Sequence, residues 1–244
     1  MIDRPLLTPR TAAAASCVRP GTKLIDVGCD HGYFGAGLAL VGFIKAPVFT
    51  DVNVGPLSRA KENVAAIGVK DAKFILTDGL KDVTVPDTLC DVAIMGMGGE
   101  TVVKILSDSE AKVKKKNVSL ILQPMTKADV LRRYLAENGF EINTEIHVPE
   151  EKKSYVIIRA RYTGNVTECS AVEALLGVFQ PDVIYDGGQH LTEIKDAKIA
   201  AYEGKASAGK ASKEDKEFLR ILSDEIDRRL EIIKKYNKNF GGVL

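Results

Sequence analysis

The chain has 244 residues, 45% of them hydrophobic and 27% charged, and a formal net charge of +1 at neutral pH. That composition excludes disorder across the whole length, and the length suits one large domain or one standard domain with an appendage. The near-zero charge balance singles out no partner, because a local basic face can sit on a neutral protein.

The four cysteines (Cys17, Cys29, Cys90, Cys169) are scattered, with no C-x-x-C pair and no ligand-like spacing to the three histidines. This argues against a zinc site or any other metal and against a disulfide framework, and it fits a reducing compartment. The opening MIDRPLLTPR lacks the apolar core of a signal peptide, and no stretch approaches the roughly eighteen apolar residues of a membrane span. The expectation is a soluble, cytoplasmic protein.

In chain order, Thr8 followed by Pro9 reads as an N-cap with proline at the first helical position, opening a helix that Pro20 and Gly21 stop. Five short apolar runs follow, KLIDVG, APVFTDV, KFILTDG, CDVAIMG and VSLILQP, with helical patterns near 34–43, 56–67, 99–106 and 127–138. Apolar runs of this length suit strands buried on both faces, and their alternation with helices predicts a parallel, doubly wound sheet. After Gly139, FEINTEIHVPEEKKSYVIIRARY holds two strand-like runs around a polar turn, which predicts an antiparallel hairpin closing one edge. Five parallel strands followed by a hairpin is the order of class I methyltransferases, a Rossmann-like α/β fold.

Composition shifts near residue 164, where GNVTEC reads as a linker. Two helices are expected near 189–204 and 213–237. Phe218, Leu222, Ile226, Leu230 and Ile233 form an apolar stripe on the second, and Leu191, Ile194 and Ala201 a compatible one on the first. The predicted division is a cofactor-binding domain over 1–163 and a helical hairpin or short coiled coil over 164–244, with a helical lid on the sheet as the plainer alternative.

The first strand runs into Asp26, Gly28, Cys29, Asp30, His31, Gly32, Tyr33, Phe34 and Gly35. Glycines after a first strand let the backbone turn sharply and approach a ligand just before a helix. Asp26, Gly28 and Gly32 match the methyltransferase pattern of an acid followed by glycines at steps of two, with Asp30 where the middle glycine would stand. The spacing of Gly28, Gly32 and Gly35 is wrong for the pyrophosphate-binding G-x-G-x-x-G. A carboxylate here repels a pyrophosphate but suits the ammonium or sulfonium of S-adenosylmethionine. Asp51 ends the second strand, 23 residues after Gly28, where an acid can accept from both ribose hydroxyls or cap the next helix. Asp78 and Gly79 end the third strand, at an adenine contact or a plain turn. Ligands of open α/β sheets bind along this carboxyl edge.

At the transfer end, the fourth strand finishes in Met95, Gly96, Met97, Gly98, Gly99 and Glu100, without the Asn/Asp-Pro-Pro-aromatic segment of many amine methyltransferases. The glycines leave room for a planar group or simply serve a loop-to-helix junction. The fifth strand ends in Gln123 and Pro124, which places an amide at the same edge. His31 serves either as a base or as a hydrogen-bonding partner of the loop.

The combination LIDVGCDHGYFG, MGMGGE and LILQPM resembles the bacterial TrmK family over residues 8 to 160. The resemblance implies S-adenosylmethionine as cofactor and tRNA as substrate, with methylation of adenine N1 at position twenty-two. Arg10 matches a family arginine that meets the cofactor carboxylate or RNA. Two departures stand out: Met125 follows Gln-Pro where the family usually carries Asn, and the C-terminal region, with its Tyr185-Asp186-Gly187-Gly188 segment, matches only in general character as a helical extension.

The resulting assignments are Arg10, Asp26, Gly28, Cys29, Asp30, His31, Gly32, Asp51, Val52, Asn53, Asp78, Gly79, Met95 and Gly96 to the cofactor. Tyr33, Met97, Gly98, Gly99, Gln123 and Pro124 go to the substrate, and Asp30 and Glu100 to catalysis. Lys112, Lys114, Lys115, Lys116, Lys205, Lys210, Lys213, Arg228, Arg229, Lys234 and Lys235 are candidates for phosphate contacts or a solvated charged face. The competing readings are a methyltransferase of a small molecule or protein, a nicotinamide-dependent dehydrogenase, and a non-catalytic RNA-binding or partner-binding module.

Overall fold

The computed structural model describes residues 7–150, 153–180 and 188–240. Helix α1 (Pro9–Ser16) opens as its sequence predicts. Thr8 and Thr11 form a reciprocal capping box, the Thr11 amide donating to Thr8 Oγ1 at 3.3 Å and the Thr8 amide to Thr11 Oγ1 at 2.7 Å. Then β1 (Lys23–Val27), α2 (Tyr33–Leu40), β2 (Lys45–Asp51), α3 (Val54–Ile67), β3 (Lys73–Leu76), β4 (Cys90–Gly98), α4 (Gly99–Ser107), the single turn α5 (Glu110–Val113), β5 (Val118–Thr126) and α6 (Ala128–Glu137) follow. The hairpin strands β6 (Phe140–Glu150) and β7 (Lys153–Tyr162) close the series; residues 151–152 of the expected turn lie outside the described residues.

The strands form one sheet in the order β3-β2-β1-β4-β5-β7-β6. β1 to β5 run parallel, and the β7 and β6 pairings are antiparallel. The core explains why the central runs are apolar on both faces. Ile25, Val92, Ile94, Leu120 and Leu122 point to the layer that holds α4 and α6. Their neighbours Leu24, Ala93 and Ile121 point to the layer that holds α1 and α2. Chain progression reverses between β1 and β4, which places a crevice at the carboxyl ends of those two strands.

Beyond the sheet, residues 164–170 lead into a helix the sequence reading missed, α7 (Ala171–Leu176), opened by a Ser170–Glu173 capping box. Then α8 (Gln189–Ser207) and α9 (Lys213–Phe240) follow. Lys195 pairs with Asp227 and Lys205 with Asp215, each at 2.6 Å, so α8 and α9 run antiparallel, as expected. Leu222, Ile226 and Ile233 of the apolar stripe are buried with Leu176 and Leu191, against Phe218, Leu230 and Ile194. Ala201 corrects the expectation: it is exposed, because the seam leaves α8 after its first turns. Tyr185, Asp186 and Gly187 lie outside the described residues. Among the described residues no helix is long and apolar enough to cross a membrane.

Candidate active site

The turn after β1 alternates left-handed residues, Gly28 at φ +67°, Asp30 at +48° and Gly32 at +72°. Aspartate is one of the few side chains that tolerates this region, so Asp30 substitutes for a glycine without breaking the turn. The Gly28 and Cys29 amides donate to Thr50 O at 2.8 and 3.0 Å, tying the loop to β2. A β-carbon on Gly35 would come within 2.7 Å of the Phe49 ring and 3.5 Å of Asp26 Oδ2, so glycine lets α2 settle onto the sheet directly over that carboxylate.

Asp26 is buried inside β1, and its Oδ2 has no hydrogen-bond partner. Burial pushes its carboxyl up to about 7, with the Gly35 backbone amide pulling the other way. A buried carboxylate oxygen left without a donor at a ligand edge favours an incoming donor or cation. It lines a cavity of about 230 Å³ together with Arg10, Gly28–Phe34, Met95, Gly96 and Gln123. Burial, reinforced by the Asp26 and Asp51 carboxylates, raises the Cys29 thiol well above its ordinary value, which favours the protonated, weakly nucleophilic form.

The cavity thus brings together Arg10, Asp26, Gly28, Cys29, Asp30, His31, Gly32, Tyr33, Met95, Gly96 and Gln123 of the residues chosen from sequence. Asp51, Val52, Asn53, Asp78, Gly79, Met97, Gly98, Gly99, Glu100 and Pro124 are not part of its lining. Asp51 is buried at the end of β2, and its Oδ1 accepts the Asn53 amide at 2.8 Å; Asn53 itself caps α3 without a side-chain bond. Asp78 is exposed and lines a separate cavity with Lys81, Lys104 and Asp108. Gly79 approaches Ile105 so closely that a β-carbon would lie 3.0 Å from it. Met97 leans across Gly28, whose β-carbon would collide with its methyl group.

Register shifts between Met95 and Gly98 bulge β4 where it faces β5, and Gly96 takes φ +75°. A bulge re-aims the strand end, and Gln123 holds it there. Gln123 is 1% exposed, its Oε1 accepts the Gly96 amide at 3.0 Å, and its Nε2 donates to Pro124 O at 3.1 Å and towards Met125 Sδ at 3.5 Å. The amide expected to face a substrate is therefore engaged within the chain. Glu100 pairs with Lys127 at 2.6 Å on the exposed side of α4. His31 sits 3.6 Å from Asp30 Oδ2 and stacks on Tyr33 at 5.8 Å.

Sequence reasoning assigned no role to the group around Arg10. Its Nη1 lies 3.2 Å from Met125 Sδ, its Nε 3.5 Å from Glu150 Oε2, and its guanidinium 4.7 Å from the Tyr155 ring centre. Met125 was visible as a departure from the family pattern, but Glu150 and Tyr155 arrive from the hairpin and carry no local signal. Several of the candidate phosphate-binding cations are engaged within the chain. Lys112 caps Leu80 O and Lys81 O; Lys114, Lys115, Lys205, Arg228 and Lys235 pair with carboxylates; Arg229 is buried.

A parallel sheet closed by an antiparallel hairpin, with a left-handed glycine-and-aspartate loop at its switch point, defines a class I methyltransferase. A family model described as a methyltransferase domain matches residues 7–158. Streptococcus pneumoniae Sp1610, provisionally described as a tRNA (m1A22) methyltransferase, has a crystal structure 30% identical to this chain. Its TM-score is 0.75, and the match covers 93% of this chain and 99% of that one. The same protein is known in complex with S-adenosyl-L-methionine. The Bacillus subtilis tRNA (adenine(22)-N(1))-methyltransferase is 26% identical over 155 residues, 63% of this chain and 64% of that protein. The crystal structure of the B. subtilis M1A22 tRNA methyltransferase TrmK shares the fold at TM-score 0.76 and 23% identity, over 93% of this chain and 98% of that one. The chain belongs to the methyltransferase-domain family and, within it, to the TrmK family.

Proposed function

We propose that the chain is an S-adenosylmethionine-dependent tRNA methyltransferase acting on N1 of adenine 22, in the cytoplasm. The observation that carries the reading is the buried Asp26 carboxylate, whose Oδ2 has no hydrogen-bond partner, beside the Gly28–Gly32 turn, taken with relatives whose names specify this reaction and one solved with S-adenosyl-L-methionine. The residues present fit that cofactor. Asp26 favours a cation, Asp51 keeps its second oxygen for ribose hydroxyls, and the backbone of Gly28, Gly32 and Gly96 allows close approach; Arg10, Cys29, His31, Val52, Asn53, Asp78, Gly79 and Met95 would complete the cradle. When bound, the cofactor supplies an electrophilic methyl group on a sulfonium.

Adenine N1 carries an in-plane lone pair, so the chain has to align the base more than deprotonate it. Tyr33, 40% exposed at the rim, offers a stacking face, and the bulge at Met97, Gly98 and Gly99 with Gln123 and Pro124 shapes the edge beside it. Methylation leaves the ring cationic, and a nearby carboxylate stabilises that charge as it develops. Asp30 lines the cavity and takes precedence over Glu100, which Lys127 neutralises. Residues 1–163 form the catalytic domain on this reading, and 164–244 a helical extension docked on it. The test is incubation with labelled cofactor and unmodified tRNA transcript followed by nucleoside analysis. Labelled 1-methyladenosine supports the reading, and its absence with folded protein overturns it. An Asp30→Asn enzyme with full activity at saturating cofactor would remove Asp30 from its role.

A further inference from the structure

We propose that a second cavity, beside the methyl-transfer edge, receives an unpaired nucleobase next to the target adenine. The inference rests on the tRNA reading above. The cavity holds about 340 Å³ and lies where the end of β5, the hairpin and the start of α8 meet, within the size range of pockets that take small planar ligands. It is continuous with the candidate active site along the chain: Gln123 lines the first cavity and Pro124 and Met125 the second. Arg10, which lines the first, touches Met125 and lies over Tyr155, both of which line the second.

The surfaces suit a flat heteroaromatic group. The His147 and His190 rings, one from β6 and one from α8, stack on each other at 3.5 Å with an interplanar angle of 11° and, both buried, form a fixed wall of the cavity rather than an open face. Tyr155 adds an aromatic side chain, and Met125, 41% exposed, adds a polarisable one. The lining carries Lys127, Lys153 and Arg132 against Asp129 and Glu193, and Arg132 is already neutralised by the buried Glu145, so the remaining charges balance. That balance disfavours a free phosphate and leaves stacking as the recognising force. Bases splayed from a single-stranded segment are held in this way, each stack being worth about 1–3 kcal/mol by alanine substitution, or roughly 5- to 150-fold in affinity. An enzyme that extrudes one base from a loop leaves its neighbour unstacked and in need of a platform.

The experiment uses Ala197→Trp, because Ala197 is exposed on α8 yet lines the cavity, so the indole fills it without entering the core. KM for tRNA is expected to rise about tenfold, with affinity for S-adenosylhomocysteine unchanged. Transcripts with an abasic site on either side of the target should raise wild-type KM by a similar factor on one side, and that transcript should gain little further penalty with the variant. Separate, multiplying penalties, or no effect of either abasic site on the wild type, would overturn the subsite. The abasic arm decides even if the variant fails to fold. Absence of any methylation by wild type would instead overturn the underlying tRNA reading.

Discussion

Arg132 of α6 and Arg229 of α9 converge on the end of one short helix. Arg132 Nη1 donates to Ala174 O and Leu175 O at 2.8 and 3.0 Å, and Arg229 Nη1 donates to Leu176 O and Gly177 O at 3.1 and 3.0 Å. The last carbonyls of a helix have no partner within it, so α7 is capped jointly by the sheet domain and the long C-terminal helix. Each arginine also holds a carboxylate, Arg132 the fully buried Glu145 and Arg229 the Glu225 one turn before it. Glu225 is correspondingly held down at about 2, chiefly by its hydrogen bond to Arg228.

Arg132→Met leaves Glu145 buried without its guanidinium and two carbonyls uncapped. Removing one partner of such a pair typically costs about 3–5 kcal/mol. Urea unfolding should show a loss of that order, whereas Arg229→Met, with its partner partly solvated, should lose about 1–3 kcal/mol. Equal small losses would mean that the joint contributes little to stability.

Asp26 makes stability depend on pH. Its carboxyl lies at about 7 in the fold against an ordinary 3.8, so between these values the native state binds the additional proton. Stability from this group is therefore present below about 4 and lost as pH rises through about 7, at no more than ~1.4 kcal/mol per unit. Over the same interval the ionising carboxylate should tighten S-adenosylhomocysteine binding. Thermal melts of wild type and Asp26→Asn across pH 5 to 8, with and without that ligand, test both slopes; identical slopes in the two proteins would refute the assignment.

Gln123→Ala removes the acceptor for the Gly96 amide and frees the β4 bulge. We expect a loss of about 1–3 kcal/mol in stability from the unsatisfied amide and a fall in kcat larger than any rise in cofactor KM. Gln123→Glu keeps an acceptor for the Gly96 amide but loses the donor to Pro124 O in a buried place, so it should recover only part of the loss. A Gln123→Ala enzyme with normal kcat would show that the bulge holds its shape unaided.

Gly28→Ala forces a side chain into the left-handed region, at about 1–2 kcal/mol, and drives its methyl into Met97. Cofactor affinity measured by calorimetry should drop at least tenfold, and a Gly28→Ala/Met97→Ala double variant should regain part of it. No recovery would point to the backbone turn alone.

The sheet was legible because its signals are local. The apolar runs, the Thr8–Pro9 start and the hairpin after Gly139 each sit within a few residues, and all appear where the sequence places them. Asp30 was legible by position as a glycine substitute, and its φ of +48° accounts for that. Helix α7 had a readable start, Ser170 with Glu173 three residues on, but it is only six residues long and lies in a polar stretch that reads as linker. The bond from Gln123 to the Gly96 amide is not legible in the sequence, because its partner is 27 residues away and meets it only through strand pairing. The Arg132–Glu145 and Arg10–Met125 contacts are likewise products of packing between elements.

The left-handed backbone at residue 30 has a practical consequence. Most replacements for that aspartate would change two things at once, the electrical character of the pocket and the ease with which its rim closes. Glycine alters only the first, since the conformation already observed is one it adopts freely. At this one position, electrostatics and chain geometry can therefore be varied independently, and an Asp30→Gly enzyme would report the worth of a single negative charge with its scaffold left standing.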